Sequence, residues 1–157
     1  MLVKGMDLSM KKRYKIVAGI ILVLAVGIFS INIYAKNTTF KVVVSDHLST
    51  KDISSIEIDR LSDTINEDQI NVTDPSQIEL IMKSFSQAKL RETSFSNINF
   101  KESLWITIKT NGNRQFGITL YDKNYIQIFK YNAQKNADIS YEITNGFDPS
   151  VIQGLFK

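Results

Sequence analysis

The chain has 157 residues and 43% of them are apolar, which is enough for one ordinary domain with its own core. It has no cysteine and only one histidine, so disulfide scaffolds, thiol nucleophiles and clustered-histidine zinc sites are excluded. Residues 1–35 hold five basic residues and one acidic residue, whereas residues 36–157 hold fourteen basic and fifteen acidic residues. Because phosphate binding needs positive charge on the folded surface, this distribution predicts no nucleic-acid partner.

An uncharged apolar run of twenty residues occupies residues 16–35. A helix of that length spans roughly 30 Å, the hydrocarbon thickness of a bilayer. The basic cluster that ends at Lys15 lies directly before it, and positive charge is retained on the cytoplasmic side. We therefore expect a single-pass protein of the cell membrane. Residues 1–15 would be a cytoplasmic tail and residues 16–35 a signal anchor whose partner is the lipid bilayer.

A cleaved signal peptide is the alternative, since a basic segment followed by an apolar stretch also describes an export signal. The apolar stretch is longer than the roughly 7–15 residues usual for such signals. Residues 33–35 (Ile-Tyr-Ala) also match a small-x-small cleavage site poorly. These two features favour the uncleaved anchor, and both alternatives place the remaining residues outside the cytoplasm.

The first part of the exported chain has strand composition. Residues 36–52 are a membrane-proximal segment that includes a predicted first strand at Phe40–Val44, which is rich in β-branched residues. Apolar and polar residues alternate over Ser54–Arg60 and again over Gln69–Thr73, as in half-buried strands. The polar stretch Leu61–Asp68 between them is predicted to be a loop.

A helix is predicted directly after the third strand. Asp74 is placed to cap it, Pro75 suits its first position, and Gln77 can complete a capping box. The helix should end near Lys89. Its apolar residues recur at helical spacing and predict one buried face, formed by Ile78, Ile81, Met82, Phe85 and Ala88.

After Leu90 the chain is predicted to form an antiparallel meander, with an Asn-Gly hairpin turn at residues 111–112. The strands are expected at Ser103–Thr110, Gln115–Tyr121, Tyr125–Tyr131 and Ile139–Thr144. A short amphipathic helix should follow Asp148. The predicted fold class is α+β, with residues 53–157 forming one extracytoplasmic domain in which a helix packs on an antiparallel sheet.

No phosphate-binding, dinucleotide-binding, hydrolase or zinc-protease motif is present. The acidic residues between Glu57 and Asp68 lack the ligand spacing of a calcium loop, and His47 has no nucleophile in a recognisable motif. The sequence therefore predicts no catalytic site, no metal site and no cofactor.

Aromatic residues are concentrated in the predicted meander. One sheet face must pack under the helix, and the other would carry Trp105 and its neighbours. The candidate interaction surface comprises Trp105, Tyr125 and Tyr131. A second core layer on that face is an equally good interpretation, and the sequence does not separate the two.

The elements between residues 53 and 156 resemble a group of small exported domains of unknown function from low-GC Gram-positive bacteria, many of them predicted lipoproteins. The resemblance rests on Ile56-Glu57-Ile58, on the strand and capped helix of residues 70–88, and on the turn at residues 121–126. This chain has no lipidated cysteine and carries an apolar span instead. The group implies an extracytoplasmic location but no active site.

We therefore expect a membrane-anchored binding or interaction module that is not an enzyme and that has a protein partner in the cell envelope. The alternative is a structural subunit of a cell-envelope, export or conjugation complex, in which the membrane helix itself makes contacts.

Overall fold

The computed structural model of the chain divides it into two compact units, Met1–Lys36 and Asn37–Lys157. The structure describes residues 13–27, 36–62, 65–94, 99–132 and 138–156.

The first unit contains helix α1, which is described over residues 13–27 with all its side chains exposed. In the parts of the chain that the structure describes, no helix is long and apolar enough to cross a membrane. Most of the predicted tail (residues 1–12) and the second part of the predicted span (residues 28–35) lie outside the described residues.

The second unit is built on one antiparallel sheet, so the α+β class predicted from the sequence is confirmed. In chain order its described strands are β1 (Asn37–Thr39), β2 (Ile53–Ser62), β3 (Ile65–Val72), β4 (Lys89–Glu92), β5 (Glu102–Thr110), β6 (Asn113–Tyr121), β7 (Tyr125–Lys130) and β8 (Ile139–Ile143). Their spatial order is β1-β4-β8-β7-β6-β5-β2-β3. The strands β5 to β8 form the predicted meander, because each pairs with the next one along the chain.

The described residues of this unit also form α-helices α2 (Phe40–Val43), α3 (Pro75–Ser86) and α4 (Ser150–Gln153), together with short 3-10 helices. The chain leaves β3 at one edge of the sheet and re-enters it as β4, on the far side of the meander. Helix α3 is the crossover between them, and all five residues of its predicted apolar face are buried. The core therefore lies on one face of the sheet, under α3.

Alternation along the meander strands gives the sheet two different faces. Leu104, Ile106 and Ile108 of β5 are buried in the core, together with the matching residues of the neighbouring strands, Phe116, Ile118, Leu120, Ile126 and Ile128. The residues between them point to the opposite side. We call this second side the open face, and Trp105 stands near its centre with 48% of its surface exposed.

Two predictions about the first strands were wrong. Phe40–Val43 is a helical turn rather than a strand, because the Thr39 hydroxyl accepts a hydrogen bond from the Val42 amide (3.3 Å) and Phe40 is buried in the core. The loop predicted at Leu61–Asp68 is wrong for the residues of that range that the structure describes, 61–62 and 65–68, which belong to strands. Strand β2 continues to Ser62 and β3 begins at Ile65, with a register shift between Arg60 and Ser62 that lets the polar strands stay paired.

The predicted Asn-Gly hairpin turn is confirmed. Asn111 and Gly112 have positive φ angles of 50° and 77° and make the tight β5–β6 turn. Asp148 stabilises the turn that precedes α4. Asp148 accepts hydrogen bonds from the Ser150 amide (3.0 Å) and hydroxyl (2.9 Å), and these bonds hold the pKa of its carboxyl below the usual value.

Asp74 caps α3 as the sequence predicted: its Oδ1 accepts a hydrogen bond from the Gln77 amide at 2.9 Å. Replacing Asp74 by alanine should lower the free energy of unfolding by about 1 kcal/mol, because a free amide at the helix start loses its partner. Denaturant melts measure this loss, with Ser76→Ala as the control in the same exposed turn. A loss of about 3 kcal/mol or more, as for a core residue, would contradict a capping role.

Candidate binding site

The open face of the sheet carries a cleft of about 620 Å³. Strands β5, β6 and β7 form its floor, and residues at the ends of β2 and β7 and ahead of β5 complete its walls. Its size is that of pockets that hold small organic ligands. The described lining residues are Leu61, Phe100, Ser103, Trp105, Gly117, Thr119, Tyr121, Gln127, Phe129, Tyr131 and Asp138.

Strand register brings the floor residues together. Trp105 of β5 lies directly across from Thr119 of β6, which in turn lies across from Gln127 of β7. Two residues away along β6 and β7, Gly117 lies directly across from Phe129. These positions are between 2 and 24 residues apart in the chain, and only the meander places them side by side.

Aromatic rings form the walls in two tilted pairs. The ring of Phe129 meets that of Tyr131 edge to face, with centroids 4.8 Å apart and planes at 85°. The rings of Phe100 and Tyr121 are 4.7 Å apart and tilted by 57°. Pairs with such tilts are favourable arrangements of aromatic quadrupoles, so the two rings of each pair stabilise each other.

Gly117 explains how Tyr131 reaches the floor. A Cβ atom at position 117 would lie 3.4 Å from both Cε2 and the hydroxyl oxygen of Tyr131. The ring therefore lies directly over the backbone of β6, and any side chain longer than a methyl group at this position would have to displace it.

The polar groups of the cleft form a short chain of hydrogen bonds. The Tyr121 hydroxyl donates to Oε1 of Gln127 (3.3 Å), and Nε2 of Gln127 donates to Oδ2 of Asp138 (3.4 Å). The Gln127 amide is thereby held in one orientation across the floor, with the Asp138 carboxylate at its end.

Two of the three residues predicted as an interaction surface, Trp105 and Tyr131, line the cleft. Tyr125 lies on the same face at the start of β7, paired across the strands with Tyr121 and Glu142, and is not a lining residue. Sequence reasoning missed Gln127, Asp138 and Gly117. The alternation of β7 placed Gln127 on the open face, but nothing local marks the other two.

No catalytic arrangement is evident in the described part of the cleft, which has hydroxyls, an amide and one carboxylate but no histidine or lysine beside them. Among the described residues, no group of three or more His, Asp or Glu side chains is placed to hold a metal ion.

Comparison with known proteins adds no assignment: no family model matches the chain, and no curated protein or solved structure matches it either.

Proposed function

We propose that the protein is a single-pass, membrane-anchored binding module that presents residues 37–157 outside the cell and binds its ligand in the cleft of the open face. The observation that carries the proposal is the cleft itself. Trp105 is about half exposed among four further aromatic rings, and apolar surface kept in water is costly unless something binds there.

The anchor is supported by the charge and exposure of the first unit. The described helix α1 exposes apolar side chains such as Leu22 and Val23, and the basic cluster that ends at Lys15 lies before this apolar part. Helices that are apolar all round are typical of membrane spans or deeply buried cores. The resemblance to small exported domains points to the same location.

Binding rather than catalysis is favoured by what the cleft offers. Its polar groups can orient a ligand, but proton transfer or nucleophilic attack would need a paired base that the described lining does not supply. We therefore propose that the protein is not an enzyme.

A photocrosslinker placed at the rim of the cleft tests the binding role. Leu61 lines the cleft and Leu80 is exposed on α3, so the two leucines form a matched pair (39% and 55% exposed). With p-benzoylphenylalanine at position 61 in living cells, we expect a discrete adduct by gel or intact mass, and none from position 80. No adduct at 61, or the same adducts at both positions, would contradict a binding site in the cleft.

Single cysteines test the proposed topology, since the chain has none of its own. Ser76→Cys places a thiol on an exposed turn of the second unit, and Ser9→Cys places one in the proposed cytoplasmic tail. An impermeant maleimide should label the first variant on intact cells and the second only after lysis, because the basic cluster holds the N-terminus inside. The reverse pattern would refute the orientation.

The alternative, a structural subunit of an envelope, export or conjugation complex, is favoured by a different feature. Strand β1 forms one edge of the sheet directly after the proposed span, and a groove of about 510 Å³ lies beside it, next to the exposed Val42. Exchanging residues 16–35 for an unrelated span separates the two proposals. A subunit would lose its membrane partners, whereas a binding module would keep its position 61 adduct.

A further inference from the structure

The charge of the cleft restricts its ligand. Asp138 is the one charged residue among the described lining residues, and Asp59 faces the same side directly across from Trp105. Two described basic side chains near this face are engaged in other contacts: Lys109 pairs with Glu57, and the Arg114 guanidinium lies over the Tyr131 ring. An anionic ligand would find no counter-charge in the described lining, whereas a cation would find the carboxylate of Asp138.

The rings of the cleft present faces in several directions. A flat ligand such as a sugar ring stacks on a single exposed ring. Within the pairs Phe129–Tyr131 and Phe100–Tyr121 the ring planes are tilted by 85° and 57°, so the rings of one pair do not form a single flat stacking surface. The faces of aromatic rings carry negative charge density and attract cations within about 6 Å of the ring centre.

One wall of the cleft already binds a cation in this way. The Arg114 guanidinium carbon lies 5.9 Å from the centre of the Tyr131 ring. A guanidinium is weakly hydrated, and it takes this position with the ring as its partner.

The cleft has few hydrogen-bond acceptors, and this favours a quaternary over a primary ammonium group. A primary ammonium carries three donors and is strongly hydrated, so it needs several oxygen partners to leave water. The described cleft is mainly aromatic, with Asp138 and the Gln127 amide already bonded to each other. A quaternary ammonium has no donors to satisfy. The volume of about 620 Å³ also leaves room for a body attached to the cationic head.

We infer that the cleft binds a small organic cation with a quaternary ammonium head, held between the aromatic walls and the carboxylate of Asp138. This inference rests on the proposed binding role of the cleft and specifies its ligand class.

The test uses the full chain in a maltoside detergent, whose head group is not cationic. Trp105 is the sole tryptophan of the chain, so its fluorescence reports on the cleft alone. Choline is titrated against its neutral isostere 3,3-dimethylbutan-1-ol, with sodium chloride matching the ionic strength. We expect choline to change the Trp105 fluorescence saturably. The alcohol should bind at least about tenfold more weakly, because only the cation is attracted by the aromatic rings and by the negative charge of the cleft.

Variants locate the binding. Asp138→Asn keeps the shape of the side chain and removes its charge, and it should weaken choline binding severalfold. Glu79→Gln, an exposed position on α3, should leave the binding unchanged. Tyr131→Leu removes one wall and should weaken binding at least as much as Asp138→Asn, with its unfolding midpoint measured to establish that it folds.

Each other result overturns the inference. Equal saturation by choline and the alcohol would mean that the cleft recognises apolar shape and not charge. A choline response that is unchanged in both Asp138→Asn and Tyr131→Leu would place the binding elsewhere. No response to either compound, together with a position 61 adduct in cells, would refute the cationic ligand while leaving the binding module intact.

Discussion

Replacing Phe85 by alanine should lower the free energy of unfolding by about 3–5 kcal/mol, the largest effect that we expect from a single substitution in this domain. Phe85 lies at the centre of a stack of three rings, 4.9 Å from the ring of Phe40 and 5.2 Å from that of Phe147. Only 1% of its surface is exposed. Truncation removes the buried ring and leaves a cavity that rings from two other segments cannot collapse to fill.

Urea melts of residues 37–157 measure the effect of Phe85→Ala. Leu80→Ala is the control, because Leu80 belongs to the same helix and exposes 55% of its surface. It should change the free energy of unfolding by no more than about 0.5 kcal/mol. Similar losses for the two variants would mean that α3 does not pack on the sheet through the face described.

Phe40→Ala should cost a comparable amount, again about 3–5 kcal/mol. Phe40 is fully buried, and its amide donates a hydrogen bond to the Ala88 carbonyl (3.1 Å), so both its ring and its backbone belong to the core. The control is Val42→Ala in the same helical turn, with 54% of the valine exposed, for which we expect at most about 0.5 kcal/mol. A small effect of Phe40→Ala would mean that the segment after the proposed span is a tether and not a part of the fold.

The double variant connects these two predictions. Because the rings of Phe40 and Phe85 are stacked, their losses should not add, and the coupling should be about 0.5–3 kcal/mol. Simple additivity of the two losses would contradict a shared stack.

Local signals in the sequence predicted much of the fold. The Asp74 cap, the buried face of α3 and the Asn-Gly hairpin each depend on residues within a few positions of one another. Alternation of apolar and polar residues likewise predicted the bounds of the meander strands to within about two residues. A strand that is buried on one face has this alternation within its own sequence.

The segment after the proposed span could not be predicted in this way. Its β-branched residues favour a strand. The structure has a helical turn there instead, which is stabilised by the Thr39 cap and by the burial of Phe40 in the ring stack. The extent of the β2–β3 hairpin was missed for a similar reason. Pairing of the polar residues of β3 with β2 compensates for their low strand propensity, and pairing is not visible in either segment alone.

The open face could be predicted only as one of two alternatives. The sequence places Trp105 and Tyr131 on the side away from the helix, but whether another element covers that side depends on the path of the whole chain. Helix α4 packs beside α3. The described elements therefore leave Trp105 exposed. Gly117 joins it through strand register, and Asp138 joins it from the position directly before β8.

Collisional quenching of Trp105 fluorescence by acrylamide tests the central claim that the face opposite α3 is open and carries the cleft. The signal belongs to a single side chain, because the chain has one tryptophan. With 48% of its surface exposed, Trp105 should emit at the long wavelength of a hydrated indole, and acrylamide should quench it efficiently in the native protein. A short-wavelength emission that becomes accessible to acrylamide only on unfolding would mean that the face is a second core layer, and it would contradict the account of the cleft.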